Sequence, residues 1–339
     1  MVDSNHDLKF ALVGRLQRDF ILPLRGKPAI DTLGGGLAYA AAGLCFWGET
    51  AGLVARVSPD YPSGWLEQFT NLGFDLNGIW RVTELFDQRW FAAYDASTGI
   101  NYDNPLTHFA ARGLAFPPQL LSYESEIHRQ CSKNQYCGYS IHVNDVPINY
   151  RDVRAAHVGP LDFLSHKILP SIFRTGLVQT VTMCSAPGYM DPNFWEDMPA
   201  LLTDLTAFMT SKDEALRLFQ GRSVDLWEIA AHLAQLGPEY VLIRLPDGGQ
   251  YLYDGVSKKR WIVPSYSVQV ADPTGSADVF SGAFLASYQQ VYDPLEAALM
   301  GNIAASFANE GSGPFYLLDA LPGLREARLA VLRELVSQI

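Results

Sequence analysis

Residues 268–290 read VQVADPTGSADVFSGAFLASYQQ. An apolar strand end runs into Asp272-Pro273-Thr274-Gly275, and a helix follows. The first N–H groups of a helix have no intrahelical partner, and together with the macrodipole they bind anions. Gly275 lets a ligand approach the backbone closely. Asp278 falls in the first helical turn, beside that anion site. A carboxylate there can take a proton from a hydroxyl while the amides stabilise a transferring phosphoryl group. The plainer alternative stays open, since an acid in the first turn is favoured by the helix dipole alone.

Other side chains have competing readings. Asp19 follows a first strand at residues 8–14 and faces the carboxyl edge of a sheet, where open α/β sheets bind ligands; alone it reads as a turn residue. Trp90, Phe91 and Tyr94 either cover a sugar face or form a small core or a dimer contact. His128, Cys131, Cys137 and His142 have a spacing looser than that of structural zinc knuckles, so loop roles are expected. His157 and His166 read as packing or surface residues.

The elements that must position these groups alternate. Residues 8–14 (LKFALVG) read as a strand closed by glycine, and 17–31 as a hairpin around Gly26 and Pro28. Residues 34–46 begin with three glycines and become Ala-rich, the pattern of a helix packed closely against a neighbour. A strand at 50–57 and an amphipathic helix at 61–72 follow. Residues 89–94 (RWFAAY) form an aromatic strand, whereas 101–149 show no period. Alternation returns with strands at 155–159, 177–183 and 240–245. Helices are expected near 161–173, 193–201, 212–219 and 226–236. Two short strands flank Asp254-Gly255, and helices at 275–288, 294–309 and 324–336 close the chain. Such β-α alternation implies a parallel sheet covered by helices.

Composition narrows the class. The 339 residues carry a net charge of −11, with 48% hydrophobic and 18% charged residues, as in a globular protein. An acidic chain lacks the basic surface that nucleic acid requires. Four cysteines do not make a disulfide scaffold. Residues 1–9 are polar with no apolar signal core, and the apolar run at 33–48 is broken by glycines and too short for a span. A cytoplasmic protein without membrane or nucleic-acid partners is expected.

Asp272-Pro273-Thr274-Gly275-Ser276-Ala277-Asp278 resembles the C-terminal D-T/P-x-G-A-G-D signature of the ribokinase-like, or PfkB, carbohydrate kinases. Further elements are similar to that family in order and spacing: Gly14 with Asp19, Gly35-Gly36-Leu37-Ala38, Ser211-Lys212-Asp213-Glu214, Leu245-Pro246-Asp247-Gly248-Gly249, and residues 301–306. The resemblance spans nearly the whole chain. It implies one three-layer α/β/α sandwich over residues 1–339, with a small β-strand lid from segments near 17–31 and 86–114. It also implies ATP-dependent phosphorylation of an alcohol group of a sugar or cyclitol. A nucleoside acceptor, or a catalytically weak binding protein of the same fold, is the alternative.

By this resemblance Asp278 is the catalytic base, and Gly275, Ser276 and Ala277 supply the anion hole. Asp19, Gly35, Gly36 and Tyr39 face the acceptor, while Arg244, Gly249 and Asn302 face the nucleotide. Glu214 would hold Mg2+ through water. Asp272 and Thr274, with the 310–313 loop, would form a monovalent-cation site suited to K+. The partners implied are ATP and a small polyol, with the lid a candidate homodimer surface. Five positions depart from the pattern: Ala277 replaces a glycine, Tyr39 an asparagine, Ser211 an asparagine and Pro246 a glycine, and Arg244 stands where a small hydroxyl residue is usual.

Overall fold

The computed structural model describes residues 8–97, 99–127 and 129–339. The N-terminal part runs β1 (Phe10–Val13), β2 (Gln17–Leu22), β3 (Ala29–Gly34), α1 (Gly36–Phe46), β4 (Gly52–Val57), α2 (Ser63–Asn71), β5 (Asp75–Arg81), β6 (Arg89–Asp95), β7 (Gly99–Asn101) and α3 (Pro105–Ala111). After an irregular stretch come β8 (Ala155–Val158), α4 (Phe163–Thr175), β9 (Thr180–Cys184), α5 (Met198–Leu202), β10 (Ala207–Ser211), α6 (Lys212–Leu218), α7 (Leu226–Gln235) and β11 (Tyr240–Arg244). The chain ends with β12 (Gln250–Asp254), β13 (Arg260–Val263), α8 (Ser276–Val291), α9 (Pro294–Ala308), α10 (Leu324–Arg333) and β14 (Ser337–Gln338).

Among the described residues the main sheet has the order β14-β13-β12-β11-β10-β9-β8-β1-β4-β5. From β11 to β5 all pairs are parallel, and β12, β13 and β14 add an antiparallel edge. Its central strands are apolar throughout because both faces are covered; every residue of β1 and β8 is buried. Phe163, Leu169, Leu218 and Ile229 from α4, α6 and α7 fill one core. Residues of α1, α8 and α9 fill the cores on the other side. This is the expected three-layer α/β/α ribokinase-like sandwich.

The Ala-rich pattern of α1 has a direct cause. A methyl on Gly43 would stand 2.0 Å from the Val279 carbonyl oxygen, and one on Gly282 would stand 1.9 Å from that of Ala40. The backbones of α1 and α8 therefore touch, and this contact carries the N-terminus of α8 to the N-terminus of α1.

A second sheet, β3-β2-β6-β7, forms the lid. Phe20, Leu22, Phe91, Ala93, Phe109 and Leu120 make its own core. The buried Gln88 ties it to the body, donating to the Leu16 carbonyl at 2.8 Å and accepting from Ser58 N at 2.6 Å. Its hairpin tip rests on the body through Arg25 N and the Ala271 carbonyl, 3.1 Å apart.

Two strands of the main sheet, β5 and β10, carry no clear strand signal. The half-exposed sequence DLNGIWR of β5 lies at an edge and is interrupted by glycine. The AFMTS of β10 is a short apolar run between two helical segments, where period alone does not separate strand from helix. Among the described residues no helix is long and apolar enough to cross a membrane.

Candidate active site

A cleft of about 560 Å3 opens at the carboxyl ends of the parallel strands, between sheet and lid. It brings together Asp19, Gly35, Gly36, Tyr39, Arg244, Thr274 and the whole run Gly275-Ser276-Ala277-Asp278. Trp90 and Tyr94 line it from the lid, whereas Phe91 is buried in the lid core. The aromatic triplet thus serves both readings, because alternate residues of a strand face opposite sides.

Gly275 precedes α8 in the left-handed conformation, with φ 71° and no side-chain cap. A Cβ there would lie 2.1 Å from the Tyr39 ring, so the turn and that ring fit only with glycine. Ser276 N–H is used by the Pro273 carbonyl at 3.2 Å. The N–H groups of Gly275 and Ala277 have no hydrogen-bond partner among the described residues. Ala277 carries its methyl within an ordinary helical turn, so replacing glycine leaves its N–H in place.

Asp278 lies across from α1: a Cβ on Gly36 would stand 2.8 Å from its Oδ1. Burial pushes this carboxyl up to about 6, against the pull of the Arg244 charge and a bond from its own backbone N–H. Such a carboxylate is ionised at neutral pH yet basic enough to receive a proton.

Asp19 sits at an irregularity in the β2–β3 pairing, where Asp19 faces Thr32 and Phe20 faces Ile30. The extra residue, Asp31, has φ 54° and binds Arg18 through two contacts of 2.8 and 2.7 Å. Bulges re-aim side chains, and here the carboxylate is delivered onto Gly34, where a Cβ would overlap Asp19 Cγ at 1.8 Å. The three glycines therefore have separate tasks: Gly34 accommodates Asp19, Gly35 turns the chain at φ 91°, and Gly36 accommodates Asp278. Asp19 is 2% exposed and its Oδ1 has no partner. Its Oδ2 accepts from the Tyr39 hydroxyl at 3.4 Å. Burial, then the negative charge of Asp272, pushes the Asp19 carboxyl up to about 8.

The nucleotide and metal candidates are less uniform. Arg244, at the end of β11, lines the cleft with no hydrogen bond or ion pair among the described residues. Residues 245–249 form a tight turn, in which Leu245 N–H reaches the Gly249 carbonyl at 2.8 Å and Gly248 has φ 85°. Pro246, Asp247 and Gly248 line the cleft, and Gly249 stands behind them with its N–H on Asp247. Asn302 is buried away from the cleft wall; it donates to the Pro264 carbonyl at 2.9 Å and accepts from Gln250 at 2.9 Å. Its amide is engaged in positioning the β12–β13 edge.

Ser211 proves to be a helix cap. Its hydroxyl and backbone N–H both bind Glu214 Oε2, at 2.6 and 3.1 Å, in a reciprocal capping box. Ser185 adds a bond of 3.2 Å to the same oxygen. Oε1 of Glu214 has no hydrogen bond among the described residues, which suits a water-mediated metal contact. Asp272 is 1% exposed; Oδ1 accepts from Thr274 N at 3.0 Å, and Oδ2 has no partner. Asn309 Oδ1 is a second buried oxygen without a partner. Two orphaned oxygen atoms fit the donor set of a hard cation. Glu310 in the adjoining loop is already held by Arg328, at 3.0 and 2.9 Å, and Thr274 Oγ1 donates to the Tyr94 hydroxyl at 3.1 Å.

No group of three or more His, Cys, Asp or Glu residues poised for a metal occurs among the described residues. His128 lies outside them; Cys137 contacts Ser140, and His142 caps a short helical turn. His157 and His166 are buried in hydrogen-bonded pairs with Thr182 and Tyr189, and burial holds their pKa values down at about 3 and about 4. The aperiodic middle segment also lines the cleft, through Tyr102, Glu126, Arg129 and Tyr139, opposite Arg15. No spacing announces these residues, since they meet Arg15 only in three dimensions.

Comparison with known proteins agrees with this geometry. Residues 175–319 match the sequence model of the pfkB family carbohydrate kinases. A cytidine kinase of Thermococcus kodakarensis is 20% identical over 289 residues, covering 84% of this chain and 89% of that protein. The aminoimidazole riboside kinase of Salmonella enterica, solved with aminoimidazole riboside and an ATP analogue, superposes with a TM-score of 0.68 at 16% identity, over 95% of this chain and 99% of that one. A ribokinase II candidate from E.coli, in complex with ATP and Mg2+, gives 0.67 at 19% identity, over 96% and 99%. The chain thus has the ribokinase-like fold, and its residues 175–319 are similar to the pfkB family carbohydrate kinases.

Proposed function

We propose that the protein is an ATP-dependent kinase that phosphorylates an alcohol group of a sugar or cyclitol. The observation that carries this reading is the position of Asp278. It stands at the uncapped N-terminus of α8, facing Gly36 across a cleft that also holds Asp19. Bound MgATP supplies the phosphoryl group and the cation that neutralises its charge. Asp19 holds the acceptor by its hydroxyls. Asp278 receives the proton of the reacting hydroxyl as that oxygen attacks the γ-phosphorus of ATP, the bond to the bridging oxygen breaks and ADP leaves. The free N–H groups of Gly275 and Ala277 and the guanidinium of Arg244 receive the negative charge. Glu214 would reach Mg2+ through water. Asp272 and Asn309 would hold a monovalent cation such as K+, which would steady the turn before α8.

The cytidine kinase relative favours a second reading, a nucleoside acceptor whose base would lie against Trp90. Nucleotide titration with and without Mg2+ tests the kinase reading itself. Binding of ATP strengthened by Mg2+ is the expected result. Absence of binding in both conditions would leave a small-molecule binding protein.

A further inference from the structure

Arg15 leaves the end of β1 and enters the cleft, its side chain only 17% exposed. Its guanidinium lies 3.7 Å from the centroid of the Tyr139 ring, a stacking that holds the planar group in one orientation. One nitrogen donates to Glu126 at 3.3 Å; the other two have no partner among the described residues. Glu126 is shared with the exposed Arg129 at 3.7 Å. The adjoining wall is apolar, built from Pro160, Leu161, Ala186 and Pro187, which strengthens any charge interaction there.

Carboxyl groups stand elsewhere around the cleft. Asp19, Asp272 and Asp278 gather there, and the cation acting on Asp278 is Arg244. Arg15 acts on Tyr139, Cys131, Cys137 and Asp87. The cleft thus offers carboxyl groups suited to hydroxyls and, besides them, a stacked guanidinium with unused donors.

We propose that the acceptor carries an anionic group, a carboxylate or a phosphate ester, at the end remote from the reacting hydroxyl, and that Arg15, braced by Tyr139, recognises it. This rests on the kinase reading and names its substrate class as a polyol acid or polyol phosphate. The free Arg15 donors match the paired oxygens of either group, and Glu126 fixes the guanidinium from the side.

The test uses glucitol, gluconate and glucitol 6-phosphate, which share a polyol skeleton. Binding is measured by calorimetry, and ATP-dependent phosphorylation by product formation, for the wild type, Arg15→Met and Arg15→Lys. At least one anionic compound should exceed glucitol in affinity and in kcat/KM. Charge-assisted hydrogen bonds imply that Arg15→Met lowers the anion-to-neutral ratio roughly tenfold to a hundredfold, with Arg15→Lys retaining part of it. A merely structural Arg15 would lower affinity for both kinds of compound alike and leave the ratio unchanged. Preference for glucitol, or an unchanged ratio in Arg15→Met, overturns the proposal. Arg15-dependent anion binding without any phosphorylation would overturn the kinase reading and keep the subsite. The gluconate and phosphate arms separate the two anions.

Discussion

The two ends of the cleft are assembled in opposite ways. The proposed phosphoryl end is one continuous run, Asp272 to Asp278, at the start of one helix, and it offers mainly backbone N–H groups. The proposed acceptor wall draws Arg15, Asp19, Tyr39, Glu126 and Tyr139 from four separate stretches of chain. Local geometry suffices for the first, because a strand, a turn and a helix dictate where the amides point. The second depends on packing: a bulge aims Asp19, Gly34 makes room for it, and the lid and the middle segment close around it.

The sharpest way to break this contrast is to change Asp278, the side chain proposed as the base. Asp278→Asn should reduce phosphoryl transfer by about 10²–10⁴-fold, the usual cost of losing a general base, while ATP titration remains near parental. Retained turnover would show that Asp278 is only a dipole-favoured residue. On the acceptor side, Asp19→Ala, assayed above about pH 8 where this carboxyl is ionised, should weaken acceptor binding by about 1.5–3 kcal/mol, the worth of charge-assisted hydrogen bonds, and leave ATP affinity little changed. Calorimetry with both ligands decides this; equal losses would make Asp19 a structural residue.

The pH profile separates the two carboxylates. With Asp278 at about 6, kcat/KM should fall about tenfold per unit as pH drops below that value, since the base must be ionised. A profile flat down to pH 4 would contradict its role. Asp19 affects stability in the opposite sense. Its folded value of about 8 lies above the unfolded one near 3.9, so the folded chain binds the extra proton. The resulting contribution is complete below about pH 4 and is lost as pH rises to about 8. In the ligand-free protein, Asp19→Asn should therefore narrow the difference in melting temperature between pH 5 and pH 8; an unchanged difference would refute the assignment. The smallest effect expected is that of Tyr39→Phe. It removes one long bond of 3.4 Å to Asp19 but keeps the ring that packs on Gly275, so KM for the acceptor should rise a few-fold with kcat nearly constant. A large loss of kcat would place Tyr39 in the phosphoryl step.

Legibility in the sequence follows the same division. The seven residues before and into α8, the three glycines before α1 and the β-α alternation all report local geometry, and each was readable. Ser211 looked like a weakened metal motif, yet it closes a capping box on Glu214. Asn302 looked like a nucleotide contact, yet both ends of its amide are engaged by Gln250 and Pro264. Such pairings join residues far apart in the chain. The end of the aperiodic stretch 101–149 is held by side chains: Arg56 grips Asp145 at 2.7 and 3.1 Å, and Arg151 reaches the Val143 and Val146 carbonyls. The stack of Arg15 on Tyr139 is equally silent in sequence.

The most direct test of the central claim is ATP consumption by the wild-type protein in the presence of Mg2+ and K+, across sugars, cyclitols, polyol acids and nucleosides, with Asp278→Asn measured in parallel. The account predicts ADP release that depends on the acceptor, yields a phosphorylated alcohol, and disappears in the variant although ATP still binds. Equal ADP release by the wild type and the variant, or none by the wild type with any acceptor, would contradict it.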